Sequence, residues 1–205
     1  MDELEQAPGN LGRQPIKAPC SREFYKAAHH SGPRKLSEID LVVLHAEEAS
    51  TARAAAVYFK SPKSAGSAHL CVDDQICYRC LADEDVPWGA PGANRNGFHI
   101  EQAGFARWST AVWKRHRLTL QRAAYKTALH CKLFGIPVRF IGWRELRAGA
   151  SGVTTHRQVS RAFGGTHSDP GLFWPRRLFM WYCQRYYREL SEGRKGVSSE
   201  QNSLW

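Results

Sequence analysis

The apolar run "IDLVVL" at positions 39–44 places the strongest constraint on the fold of this chain. It is far shorter than the about 20 apolar residues that a membrane span requires, and its length is that of a strand. The run therefore predicts a buried strand that ends on His45. With 205 residues, the chain is long enough for one domain with a hydrophobic core, and too short for two.

Helical and strand-like patterns alternate along the rest of the chain. Ser50 can cap a helix over 51–60, because its side-chain oxygen can accept a hydrogen bond from a free amide of the first turn. Further elements are predicted in this order: a hairpin around the Asp-Asp turn of 67–82, a strand over 98–104, a helix over 117–134 that Gly135 ends, a short strand over 136–141 and a helix over 175–190. This alternation predicts the α/β class, with a mixed central β-sheet flanked by helices in a single domain.

The two ends of the chain lack this periodicity. Residues 1–37 combine Pro, Gly, Lys and Arg, which is typical of an N-terminal arm or linker, with one short helical turn at 21–30. Residues 191–205 are typical of a flexible, solvated tail. We expect the folded domain at 38–190, and we expect it to be a monomer.

Charge and the first residues bear on partners and location. The 29 Lys and Arg residues exceed the 19 Asp and Glu residues and give a net charge of +10, which favours anionic partners such as nucleic acid, anionic lipid or anionic cell-wall polymer. The start "MDELEQAPGN" is acidic and lacks the apolar segment of a secretion signal. We therefore expect the protein to accumulate in the cytoplasm in which it is made.

The six cysteines follow apolar patterns rather than the spacing of a disulfide framework, so we expect reduced and mostly buried thiols. Cys77 and Cys80 form a CxxC pair without a second pair at metal-binding spacing, which argues against a zinc knuckle. Cys71 and Cys77 flank the turn of the predicted hairpin, where they could face each other. The sequence leaves the pairing of these cysteines open.

Histidine-containing motifs occur in both halves of the chain. Five segments matter here: "VVLHAEE", "SAHLCVDD", "VPWGAPGANRNGFHIE", "GVTTHRQV" and "HSDPGLFWP". In this order they resemble the motifs of zinc-dependent N-acetylmuramoyl-L-alanine amidases, a domain shared with peptidoglycan-recognition proteins and common in phage endolysins. The resemblance covers about residues 39–182. It implies a peptidoglycan hydrolase (endolysin) that cleaves the amide between N-acetylmuramic acid and L-alanine.

The resemblance also implies a Zn²⁺ cofactor and its ligands. His45 matches the histidine that ends the family's first strand, and His156 matches the histidine that opens its late loop. Asp169, directly before Pro-Gly, matches the third ligand. Two imidazoles and one carboxylate leave a fourth position for water, as a catalytic zinc requires.

Two more residues match positions that the resemblance assigns to catalysis. Glu101 matches the glutamate of the family's strand motif, and a carboxylate on a rigid strand is well placed to take a proton from zinc-activated water. His167 stands where relatives have Lys or Thr, two residues before the third ligand. Its imidazole either stabilises the oxyanion of the reaction or orients Asp169, and the sequence leaves that choice open.

The long loop at 83–97 and the strand after it supply candidate substrate contacts, because loops of this size in compact domains are often functional. His99 stands where relatives usually have a small residue, and Gly89 stands where many have a histidine. We expect His69, inside the hairpin, to make a structural hydrogen bond. The candidate substrate contacts are Trp88, Asn94, Arg95 and His99.

The implied partners are bacterial peptidoglycan and, through the positive charge, anionic wall polymers, with no specific nucleic acid. Without a signal peptide, the enzyme is expected to act on the wall after the membrane is permeabilised. Two alternatives remain: a non-catalytic peptidoglycan-binding module on the same fold, and a basic nucleic-acid-binding domain. The complete ligand set together with Glu101 favours the enzyme.

Overall fold

A six-stranded sheet forms the centre of the protein, in a computed structural model that describes residues 20–192. The strand order is β1-β4-β3-β5-β2-β6, and only the β3–β4 pair is antiparallel. The strands are β1 (Cys20–Phe24), β2 (Leu41–Ala46), β3 (Leu70–Val72), β4 (Cys77–Arg79), β5 (Gly97–Gln102) and β6 (Gly152–Thr155). This mixed sheet confirms the predicted fold class.

Helices cover both faces of the sheet. They are α1 (Ala52–Lys60), α2 (Thr110–Arg115), α3 (Arg117–Phe134), α4 (Trp143–Arg147), α5 (His156–Phe163) and α6 (Arg176–Ser191), with a short 3₁₀ helix at Leu36–Glu38. Between residues 20 and 192, none of the helices is both long enough and apolar enough to cross a membrane.

The two faces of β2 and β5 bury different kinds of residue, because successive side chains of a strand point to opposite faces. One face contributes Leu44 and Ile100 to an apolar core that α3 and α6 complete. The opposite face carries His45 and Glu101, which lie side by side in the parallel register of the two strands. The sheet thereby separates its largest apolar core from the face that combines smaller apolar clusters, which include Leu41 and Val43, with polar groups at the strand ends.

Several sequence predictions hold. The run ending on His45 is β2, the helix predicted over 117–134 is α3, and the alternation after residue 97 is β5. The helix after residue 50 begins one residue later than predicted, since Thr51 rather than Ser50 caps it and accepts a hydrogen bond from the Ala54 amide. The strand predicted over 136–141 is wrong: Phe140 makes one isolated bridge to Val153.

Part of the predicted N-terminal arm belongs to the folded domain. The predicted helical turn at 21–30 is wrong, because residues 20–24 form β1 and pair with β4. Tyr25 and Ala27 are buried in a small core with α1. The rest of the predicted arm, 1–19, lies outside the described residues, as does all of the predicted tail beyond Glu192.

The cysteine predictions need one correction. Cys77 forms a disulfide with Cys20, which joins β1 to β4, so these two thiols are not reduced. The hairpin register places Val72 opposite Cys77, and therefore Cys71 does not face it. The Cys71 sulfur lies 3.8 Å from that of Cys80 instead. Four thiols are free and buried, as predicted: Cys71, Cys80, Cys131 and Cys183.

Candidate metal centre

Three predicted ligands meet at the carboxyl ends of two adjacent parallel strands. His45 is the next-to-last residue of β2, and His156 follows the last residue of β6 directly. His156 opens helix α5 rather than a loop, because Thr155 caps that helix by accepting a hydrogen bond from the Gln158 amide. Asp169 comes from the loop after α5, and its carbonyl accepts a hydrogen bond from the backbone of residue 157.

The polar atoms of these three side chains converge on one point. His45 Nδ1 lies 3.2 Å from His156 Nδ1 and 3.3 Å from Asp169 Oδ2. His156 Nδ1 lies 3.0 Å from Asp169 Oδ1. Among residues 20–192, this is the one set of three His, Cys, Asp or Glu side chains with ligand atoms within 4.8 Å of one another. The cluster could hold a metal ion.

Burial controls the charge states in the cluster. Burial lowers the pKa of His45, which favours the neutral imidazole that metals bind. Burial also acts to raise the pKa of Asp169, but the neighbouring imidazoles of His156 and His45 outweigh it, and the pKa falls below its ordinary value. The set therefore offers two imidazole nitrogens and one carboxylate, which suits a divalent cation such as zinc.

Glu101 lies beside the cluster without a hydrogen-bonding partner for one of its oxygens. Its Oε1 is 3.9 Å from His45 Nδ1, and its buried Oε2 has no partner. Burial, and then the charge of Asp169, raise the pKa of Glu101 well above its ordinary value. A buried carboxyl group with a raised pKa and a free oxygen can accept and return a proton.

His167 lies at the solvent side of the same cluster. Its ring stacks on that of His156 with centroids 4.0 Å apart, and its Nδ1 is 3.7 Å from Asp169 Oδ1. The side chain is 62% exposed, in contrast to the buried ligands. His167 can therefore reach both Asp169 and a substrate that approaches from solvent.

His99 does not line a substrate groove, contrary to the sequence prediction. It is fully buried behind His45, and its Nδ1 lies 3.0 Å from His45 Nε2. The same contact accounts for Gly89, where relatives carry histidine: a Cβ at position 89 would lie 2.3 Å from His99 Nδ1. His69 has a structural contact, as predicted, since its Nδ1 accepts the backbone N–H of His99.

The other predicted substrate contacts hold the long loop in place. The Trp88 indole N–H donates to Ser31 Oγ, and its ring stacks on His29. Asn94 Oδ1 accepts the amides of residues 89 and 90, while the Arg95 guanidinium pairs with Glu38. Asn94 and Arg95 also line a cavity of about 370 Å³, which none of the three candidate ligands lines.

Sequence reasoning missed one residue that shapes this loop. Arg34 is buried, and its guanidinium donates to the carbonyls of Asn94, Arg95 and Gly97. Burial lowers its pKa to about 10, so it stays a cation at neutral pH. The only signal was its position in the basic segment "GPRK", which has no periodicity.

Comparisons with known proteins identify the family of this chain. The sequence profile of the N-acetylmuramoyl-L-alanine amidase family matches residues 35–172. Because this match covers more than half of the 205 residues, the chain belongs to that family. It is a peptidoglycan amidase, as the sequence predicts. No curated protein matches the chain.

Solved structures with the same fold include a hydrolase, an amidase and an endolysin. The Staphylococcus aureus hydrolase AmiA in complex with its ligand superposes with a TM-score of 0.64 at 19% identity, over 86% of this chain and 88% of that one. The amidase LysC from Clostridium intestinale URNW gives 0.53 at 14% identity, over 76% and 93%. A mutant endolysin from Bacillus subtilis gives 0.50 at 18%, over 80% and 94%. At these identities the likeness establishes the fold.

Proposed function

We propose that the chain uses Zn²⁺, held by His45, His156 and Asp169, to hydrolyse the amide between N-acetylmuramic acid and L-alanine. One observation carries this proposal: two buried imidazoles and a carboxylate converge beside Glu101, whose free oxygen faces no other partner. The proposed setting is lysis, in which the enzyme reaches the wall after the membrane is permeabilised.

The spacing of the donor atoms supports zinc. Zinc–nitrogen and zinc–oxygen bonds of about 2.0–2.2 Å in a tetrahedron place the ligand atoms about 3.3–3.5 Å apart. The three separations within the cluster are 3.2, 3.3 and 3.0 Å. Small shifts of the side chains would therefore complete the coordination, and three protein ligands leave a position open for the reaction.

The residues around the cation then have separate tasks. When bound, zinc lowers the pKa of a water molecule and polarises the scissile carbonyl. Glu101 accepts the proton of the attacking water on a carboxylate oxygen and returns it to the nitrogen of the departing L-alanine. A positive charge at the cluster opposes the rise in the Glu101 pKa, which keeps the carboxylate available as a base.

The position of His167 supports two roles. Its exposed imidazole can donate a hydrogen bond to the oxyanion that forms on the substrate, or it can orient Asp169 through the contact at 3.7 Å. His167→Ala distinguishes these roles. A lower rate with unchanged zinc affinity indicates the oxyanion, whereas a lower zinc affinity indicates support of Asp169.

Mass spectrometry of digested peptidoglycan tests the proposed reaction. The zinc-loaded enzyme is expected to release stem peptides with a free L-alanine amino group. Asp169→Ala should lose zinc and product together, Glu101→Gln should keep zinc and lose product, and Glu189→Gln, half-buried near the end of α6, should change neither. Zinc binding and wall binding without any new amino group would instead support the non-catalytic binding module.

The distribution of charge supports anionic wall polymers as a second partner. Residues 107–188 contain 16 Lys and Arg against two acidic residues, whereas residues 20–106 contain nine basic and 11 acidic residues. Of the two acidic residues, Glu145 pairs with Arg139, and Asp169 belongs to the buried cluster. The second half of the domain, from α2 to residue 188 of α6, is therefore the cationic one. Such a surface attracts polyanions with salt-dependent affinity.

Binding to purified walls tests this partner. Retention should fall with added salt and after chemical removal of the phosphate polymers from the walls. The double variant Arg115→Glu with Arg117→Glu should weaken retention, whereas Lys60→Glu with Lys63→Glu, an equal change of charge in the other half, should weaken it less. Equal losses in both variants would contradict a specific cationic surface, and stronger binding to DNA than to walls would favour the nucleic-acid alternative.

A further inference from the structure

His99 connects the backbone of the long loop to the candidate ligand His45. The ring nitrogen Nε2 of His99 lies 3.1 Å from the carbonyl oxygen of Ala93. Its other nitrogen, Nδ1, lies 3.0 Å from Nε2 of His45. Both imidazoles are buried, so water does not compete for these contacts. The three groups form one hydrogen-bonded chain that ends at the metal cluster.

The chemistry of the groups fixes the direction of this chain. A carbonyl oxygen only accepts, so Nε2 of His99 must carry the hydrogen. The Nδ1 of a neutral His99 is then an acceptor, and Nε2 of His45 must donate to it. A neutral His45 that carries its hydrogen on Nε2 has its lone pair on Nδ1. That atom lies at the centre of the cluster, 3.2 Å from His156 and 3.3 Å from Asp169.

Without His99, the opposite tautomer of His45 would be favoured. The Asp169 carboxylate attracts a hydrogen on Nδ1 of His45 at 3.3 Å, and that hydrogen would occupy the lone pair needed for a metal. A buried acceptor on the far side of the ring counteracts this attraction. We propose that His99 is a positioning residue that holds His45 in its metal-binding tautomer. The Ala93 carbonyl keeps a hydrogen on Nε2 of His99, so Nδ1 of His99 accepts a hydrogen bond from Nε2 of His45.

The residues packed around His99 support this role. A Cβ at Gly97 would lie 2.3 Å from the Ala93 carbonyl and 2.6 Å from His99 Nε2, so that position admits only glycine in this arrangement. Gly89 closes the other side of the ring in the same way. The backbone N–H of His99 donates to His69 Nδ1 at 3.0 Å. Ring and backbone are thus both held, which restricts the imidazole to the orientation that reaches His45.

Two variants of similar size distinguish the effect of the hydrogen-bonded chain from the effect of packing. Glutamine at position 99 has an acceptor and a donor on one side-chain amide and can keep both contacts, whereas leucine fills the space and has neither. His99→Leu should lower the Zn²⁺ affinity about 10–100-fold, the usual effect of losing a group that supports a metal ligand. His99→Gln should stay close to the wild type. His130→Leu, which removes another buried imidazole outside the cluster, should also stay close.

The measurement is competition between the protein and a chelating dye for Zn²⁺, with no wall substrate present. A second readout is NMR of the metal-free protein with ¹⁵N-labelled histidine, which reports which ring nitrogen of His45 carries the hydrogen. The wild type and His99→Gln should show the hydrogen on Nε2, and His99→Leu should shift it toward Nδ1. If His99→Leu does not fold, the wild-type spectrum decides alone.

The inference rests on the proposed metal site, but the two can fail separately. A wild-type protein that binds no zinc contradicts the proposed site and, with it, this role. Zinc bound equally well by the wild type and His99→Leu contradicts only the role of His99. A hydrogen on Nδ1 of His45 in the wild type also overturns it. An equal loss of Zn²⁺ affinity in His99→Gln and His99→Leu would indicate that His99 acts through packing and not through the hydrogen-bonded chain.

Discussion

The two faces of the central sheet differ in what they bury at the carboxyl ends of β2 and β5, although the same strands supply both. On the face covered by α3 and α6, Leu44 and Ile100 join a large apolar core. On the opposite face, their sequence neighbours, the buried His45 and the largely buried Glu101, lie beside Asp169. Burying apolar groups stabilises a fold, and burying ionisable groups opposes it. The face under α3 and α6 therefore supplies the largest apolar core, whereas the other face combines smaller apolar clusters, which include Leu41 and Val43, with the reactive groups at its strand ends.

The largest expected effect is on the face of the sheet that carries His45 and Glu101, here called the reactive face. Glu101→Gln keeps the size of the side chain but removes the group that accepts the proton, so hydrolysis should fall about 10²–10⁴-fold. The free energy of unfolding should stay the same or rise, because a neutral amide is less costly to bury than a carboxylate. Enzyme assays and urea unfolding on the same samples measure both. An unchanged rate would remove Glu101 from the mechanism.

A substitution on the apolar face should have the opposite profile. Phe179 of α6 is fully buried in the core, and Phe179→Ala should cost about 3–5 kcal/mol of stability through lost burial and the cavity left behind. The Zn²⁺ affinity and the rate per folded molecule should not change. A variant that stays stable but binds zinc poorly would show that the core around Phe179 and the metal cluster are coupled.

The disulfide at the sheet edge should affect stability only. It closes a loop with a sequence separation of 57 residues, and its loss in Cys20→Ser with Cys77→Ser should cost about 2–4 kcal/mol. Urea unfolding gives the difference. Reducing agent should destabilise the wild type to a similar extent and should not affect the double variant. A double variant as stable as the wild type would indicate that the bond does not constrain the chain in solution.

The smallest effect concerns a buried histidine on the apolar face. Burial lowers the pKa of His130 to about 3. The unfolded chain, with an ordinary value of about 6.5, therefore binds more protons over this interval, and stability falls as the pH drops from about 6.5 toward 3. His130→Leu should make this loss shallower by at most about 1.4 kcal/mol per pH unit. Urea unfolding at several pH values measures the slope; equal slopes would contradict a neutral, buried His130.

Periodicity predicted the apolar face better than the rest of the fold. The helix over 117–134 matches α3 residue for residue, because its spacing of apolar residues reflects the core it covers. Strand β1 was missed because its five residues show no alternation and its disulfide partner lies 57 positions away. Strand β6 was missed because its four residues, Gly152–Thr155, are too few to show a pattern. Helix α5 was missed because its eight residues make only about two turns.

The reactive face was predicted through its motifs rather than its periodicity. The 111 positions between His45 and His156 contain no information about their contact, and the resemblance supplied it. Alternation did place His99 and Glu101 on one face of β5. It could not show that the loop carbonyl of Ala93 covers His99, because such a contact depends on how the long loop folds back. His99 was therefore assigned to the substrate rather than to His45.

The most direct test of the proposed metal centre is X-ray diffraction at the zinc absorption edge from crystals of the zinc-loaded protein. We expect one strong anomalous peak at about 2.0–2.2 Å from His45 Nδ1, a ring nitrogen of His156 and a carboxylate oxygen of Asp169. The peak should be absent in Asp169→Ala and present in Glu101→Gln. A wild-type crystal with zinc bound elsewhere, or with no peak between these three side chains, would contradict the proposed metal centre.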